Sequence, residues 1–152
     1  MINNKFLKTK KIELIKVDYS SSHINLLFDV LKNRPSNINI SHNKLPSYQK
    51  HKKFVNSKPY RYWFLIFSSN RLIGSVFITR LNEISIKLKK NNSLFYKETL
   101  NLLIENLKPL IGIPSKRSSN FLINVSYKDK SLISLLKKMK LKKIQETYKI
   151  ES

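Results

Sequence analysis

Apolar and polar residues alternate from Glu83 to Lys89: Ile84, Ile86 and Leu88 take one side, Ser85, Lys87 and Lys89 the other. That period of two predicts a strand with one buried face. Asn91, Asn92 and Ser93 interrupt it, and each is able to cap a helix. Beyond them Tyr96, Leu100, Leu103 and Leu107 recur at helical spacing, with Phe95, Thr99 and Leu102 beside them. Asn82 to Leu107 therefore reads as a strand, a polar loop and a helix. A helix starting here points unpaired N–H groups and the positive end of its dipole at the loop, a setting suited to a pyrophosphate.

Other segments follow the same rules. A first strand is expected over Lys11 to Val17. A helix capped by Ser20, Ser21 or Ser22 follows, with Ile24, Leu27, Phe28 and Leu31 on one face. It stops near Asn33, because Pro35 disfavours a helical Arg34. Ser47 is placed to cap a short helix, Tyr48 to Asn56. RYWFLIFS, Arg61 to Ser68, is nearly all apolar and fits the middle of a sheet. Ser69-Asn70 turns it into a returning strand, Arg71 to Thr79, where Gly74 marks a bulge or a close backbone contact. A short strand is predicted at Phe121 to Val125 and a helix at Lys128 to Met139. A closing strand follows at Lys142 to Ile150, with Ile144, Tyr148 and Ile150 apolar. Residues 1–10 are polar and basic and are expected to fray. The remainder, 11–150, reads as one domain, which 152 residues suffice to fold.

Composition narrows the chemistry. There is no cysteine, hence no disulfide and no thiolate metal site. His23, His42 and His51 are not spaced as metal ligands, so no metal is expected. No apolar run approaches the ~20 residues of a membrane span, and the first residues lack a signal peptide's apolar centre. The expectation is a soluble cytoplasmic protein without a membrane partner. The net charge of +21 leaves a nucleic-acid partner open. Against that, lysines outnumber arginines 25 to 5 and are spread along the chain. Arginine is the residue usually chosen to grip bases and phosphates.

The order of elements, with the phrases SHNKLPSYQKHKKFV and FLINVSYKDKSLISLLKKMKLKKIQETYKI, resembles the GNAT family of acyl-coenzyme A N-acyltransferases, notably its sugar N-acetyltransferase-like branch. The resemblance implies an α/β (α+β) single domain. Its sheet would be mixed but mostly antiparallel, of about six strands, with helices on both faces and strands four and five splayed. It also implies acetyl-coenzyme A as cofactor and a primary amine of a small molecule, such as an amino sugar, as acceptor. By the family pattern the cofactor lies along Ile86, Lys87 and Leu88, at the loop Asn91-Asn92-Ser93-Leu94-Phe95-Tyr96, and near Asn124 and Asp129. Leu94 and Tyr96 stand where the family's loop carries small residues, Asp129 where it often has Asn, and Lys140 where it often has Gly.

Acyl transfer needs a base for the amine, donors for the carbonyl oxygen and an acid for the leaving thiolate. Glu83, at the head of its strand, matches the family's water-mediated base; Arg80 and Lys87 could instead hold it as a surface ion pair. The family's helix-four tyrosine falls at Leu136, so Tyr127 is the nearest substitute. His42, His51, Tyr60 and Trp63 are candidate acceptor contacts, and all four also fit as packing residues. Two alternatives to an enzyme stay open: a GNAT-fold binding or scaffold protein without catalysis, and a basic nucleic-acid-associated protein.

Overall fold

The computed structural model describes residues 6–35 and 44–152. Its sheet has six strands in the order of the chain: β1 (Phe6–Lys8), β2 (Glu13–Lys16), β3 (Tyr62–Ser68), β4 (Arg71–Ile78), β5 (Glu83–Leu88) and β6 (Leu122–Ile123). All neighbours are antiparallel except β5 and β6, which run parallel. β1 lies inside the stretch expected to fray and buries Leu7. Three residues are too few to show a period, and pairing with β2 is what fixes them.

Alternation along the strands sorts side chains to two cores. Phe64, Ile66, Val76, Ile78, Ile84 and Leu88 face one way, where α3 (Ser93–Asn106) and α4 (Lys130–Lys138) cover them. Trp63 and Leu65 face the other way, under α1 (Ser21–Asn33) and α2 (Tyr48–Asn56). The expected caps are present: Ser20 accepts from the His23 N–H, Ser47 from Lys50, and Asn92 from Phe95 at 2.9 Å. Arg34 ends α1 in an extended conformation, as the following proline requires.

Gly74 behaves as its place in a strand suggested. The register slips between Ile66 and Phe67, leaving Ile73 as the extra residue of a bulge. A Cβ on Gly74 would lie 2.3 Å from the Lys87 carbonyl oxygen, so β5 presses directly on this backbone. Gly74→Ala is expected to destabilise the protein by about 1–3 kcal/mol, the scale of an overpacked site. Urea unfolding checks this, and an unchanged midpoint would contradict the contact.

The closing strand does not form. Residues 141–152 are exposed and pair with no strand, although Ile144, Tyr148 and Ile150 have the alternation of one. Periodicity marks a face to bury but cannot supply a neighbouring edge. Removing 142–152 should shift stability by no more than about 0.5 kcal/mol, as for other exposed positions. A large drop in melting temperature would mean that the segment is paired in solution.

Candidate functional site

The sheet opens between β5 and β6. They pair only at Glu83–Leu122 and Ile84–Ile123, after which β5 runs on to Leu88 with no neighbouring strand on that side among the described residues. Backbone direction alternates along β5. Asn82 C=O accepts from the Leu122 N–H on the β6 side (2.9 Å), while the Lys89 N–H turns to Ile73 of β4. By the same alternation the Ile86 and Leu88 N–H groups point into the gap, past the last pair that β6 offers. These amides form a strand edge inside the protein rather than at its rim.

The head of the gap is fixed by Asn82, which is fully buried at φ 62°. Its Nδ2 donates to the carbonyls of Leu110 and Ser118, both at 2.8 Å, and its Oδ1 accepts from the Leu110 N–H at 2.7 Å. One side chain thus ties the β4–β5 turn to the segments before and after the loop that leads into β6. In the sequence Asn82 is only the first residue of the strand–loop–helix stretch.

Beyond that knot lies a cleft of about 90 Å³. Ile86, Lys87 and Leu88 line it from β5. Asn91, Asn92, Ser93 and Tyr96 line it from the start of α3, and Asn124 and Asp129 from the opposite wall. Nine residues picked from the sequence therefore meet in one place. Asn92 takes up the Phe95 N–H, and the N–H groups of Ser93 and Leu94 precede the first intrahelical bond, so they are free to meet a ligand. Leu94 is exposed and turns away from the cleft, whereas Phe95 packs on the core. The bulk at the family's two small-residue positions therefore falls outside the cleft at Leu94 and into its wall at Tyr96. Burial, and then Asp129, push the Tyr96 phenol well above its ordinary range.

Glu83 sits just behind the lining. Its carboxylate accepts from Asn124 Nδ2 (3.1 Å) and from the Thr79 hydroxyl (3.3 Å). It is paired with neither Arg80, which donates to the Pro59 carbonyl, nor Lys87. Asp129 caps α4 by accepting from the Leu132 N–H.

Several expected residues lie elsewhere. Tyr127 is 74% exposed beneath the Lys128 ammonium and does not reach the cleft, because its chain segment turns outward before α4. His51 is buried, with Nε2 against the Ile24 carbonyl at 3.1 Å, and packs beside Phe28. Tyr60 stacks on Phe77 and Trp63 meets Tyr60 edge-on, so both belong to the core under α1 and α2. His42 lies outside the described residues. Burial holds the His51 imidazole below its ordinary range, outweighing the carbonyl that pulls it up. The unfolded chain therefore binds this proton more readily. The stability from neutral His51 is full above about pH 6.5 and is lost as pH falls from there through the lowered folded value. Melting curves at pH 8 and 5 should differ more for the wild type than for His51→Gln, whose amide can still donate to Ile24.

Arg34 and Ser85 also line the cleft, and sequence reasoning missed both. The available signal was that arginine is rare in a lysine-rich chain, which makes each one a specific choice.

No family model matches the chain, and no curated protein matches its sequence. Solved structures do match its fold. One is an acetyl transferase from Salmonella typhimurium that modifies the N-terminal serine of the 50S ribosomal subunit protein L7/L12. Its TM-score is 0.60 at 16% identity, over 88% of this chain and 82% of that one. Another is RimL, the ribosomal L7/L12 α-N-protein acetyltransferase, in complex with coenzyme A. Its TM-score is 0.61 at 16% identity, over 88% of this chain and 81% of that one. The chain has the mixed, splayed sheet of a GNAT-like α/β domain. Among the described residues no helix is long and apolar enough to cross a membrane, and no group of three potential ligands could hold a metal ion.

Proposed function

We propose that this chain is an acyl-coenzyme A-dependent N-acyltransferase acting on a primary amine. The observation that carries the reading is the sheet opened from within, with the Ile86 and Leu88 amides facing the gap beside the free first turn of α3. The groups present suit such a cofactor. Helix N–H groups and Lys90 and Lys97 favour a pyrophosphate, and unpaired strand amides favour a chain-like arm that carries amide groups of its own. When bound, the cofactor supplies an acyl group activated as a thioester.

The chain's residues divide the remaining work. The Ile86 N–H is placed to donate to a carbonyl oxygen as charge builds on it. Glu83 takes the amine proton through water, held in line by Asn124 and Thr79. Tyr96, in place of Tyr127, is the phenol that borders the cleft; it stays protonated and can donate a hydrogen bond to the leaving sulfur, which takes its proton from water.

The acceptor is an amine on a small molecule or at a peptide N-terminus. The solved neighbours' action on the ribosomal protein L7/L12, at its N-terminal serine in one of them, argues for including the second. Tyr60 and Trp63, the aromatic candidates for acceptor contacts, are core residues, which leaves an amino sugar without a contact to argue from. The test is thiol release from acetyl-coenzyme A with amino sugars, amino acids, polyamines and short peptides. Acceptor-dependent release above hydrolysis is expected. Binding of coenzyme A with no release for any amine would favour a second reading, a binding module without turnover, to which the outward Tyr127 points. The nucleic-acid alternative loses ground, because Arg61, Arg80 and Arg117 are spent on backbone carbonyls.

A further inference from the structure

Arg34, the residue that ends α1, and Lys87, on the α1 side of β5, line the same cleft without a carboxylate partner. The chain has nine acidic residues, and all of them are among the described ones. Among the described residues, Asp18, Asp29, Glu146 and Glu151 form the ion pairs, with His23, Lys89, Lys143 and Lys149. Glu83 is held by Thr79 and Asn124, and Asp129 caps α4. Neither Arg34 nor Lys87 is within ion-pair distance of any of the nine. The contrast with Lys89 is direct: two residues along the same strand direction, it is paired with Asp29.

Arg34 Nε is buried with no hydrogen-bond partner among the described residues, a costly state for a charged donor. Burial lowers the proton affinity of both groups; Arg34 lowers that of Lys87 further, and Asp129, on the facing wall but beyond ion-pair distance, only partly offsets this. Two like charges sharing a partly desolvated cleft are unfavourable unless an anion joins them. A lysine stem is long enough to carry its ammonium out to water, yet Lys87 stays in the cleft wall. The pair shares its cleft with Asn91, Asn92 and Ser93 at the start of α3, where the proposed pyrophosphate sits.

Resting on the acyltransferase reading of this cleft, we propose that Arg34 and Lys87 form a receptor for a carboxylate on the transferred acyl group or on the acceptor amine. A guanidinium fork matches a carboxylate edge to edge, and the ammonium adds a point charge from the other wall. The substrate class is then an acyl thioester with a free terminal carboxylate, or an amino acid-like amine.

The test measures ratios, so that general damage to the cleft cancels. Succinyl-coenzyme A is compared with acetyl-coenzyme A by calorimetry, and an α-amino acid with its decarboxylated amine by kcat/KM. At least one pair should favour the carboxylate about tenfold or more, as a charge-assisted contact implies. Which pair does so tells whether donor or acceptor bears the anion. Lys87→Gln and Arg34→Gln should bring that ratio close to one, and Lys87→Arg should keep it. No preference in either pair, or a preference unchanged in both glutamine variants, overturns the receptor. Should coenzyme A itself not bind, the acyltransferase reading fails, and glutarate then decides the receptor alone. Chemical-shift changes saturating in the wild type but not in Lys87→Gln uphold it, and equal responses overturn it.

Discussion

Asn82→Ala is expected to cost about 3–5 kcal/mol of stability, from three part-buried backbone groups left unpaired at roughly 1–3 kcal/mol each and not fully additive. The groups are the carbonyls of Leu110 and Ser118 and the N–H of Leu110. Alanine also tolerates the φ of 62° less well than asparagine does, which adds about 1 kcal/mol. Against a typical total of about 5–15 kcal/mol, the loss is a large share. Asn82→Gly separates the two causes: it frees the backbone but still loses the bonds, so it should be about 1 kcal/mol less damaging than Asn82→Ala. Urea unfolding of the two variants checks this. If both fall within about 1 kcal/mol of the wild type, the account of the knot is wrong.

Glu83→Gln should lower kcat about 10²–10⁴-fold, the usual contribution of a positioned base. Glutamine keeps the shape and can still bond to Thr79 and Asn124, so the melting temperature should barely move. Substrate KM should change little for the same reason. The measurement is steady-state thiol release, with a folding control on the same samples. Retention of most of the activity would mean that the amine loses its proton elsewhere and that Glu83 only braces the head of the gap.

Most of the frame could be read along the chain, for reasons visible in particular residues. Ser47 and Asn92 announced two helices because their side chains satisfy backbone donors that nothing else does. Gly74 announced a close contact because only a missing Cβ fits there. What stayed hidden depends on partners distant in sequence. Ile144, Tyr148 and Ile150 alternate like a strand, but no edge receives them. Asn82 looks like any turn asparagine until Leu110 and Ser118 arrive beside it. Tyr127 and Tyr96 are equally tyrosines in the sequence, and only chain direction decides which one meets the cleft. Arg34 was legible as the end of a helix, while its role as an unmatched charge appears only once all nine carboxylates are placed.

The interior gap between β5 and β6 is put to the question by calorimetric titration of the full chain with coenzyme A. One molecule should bind per chain, with an affinity that weakens as salt rises, because helix N–H groups and lysines hold the phosphates. Absence of binding up to millimolar coenzyme A would contradict the account, leaving the opened sheet without the ligand it is argued to hold.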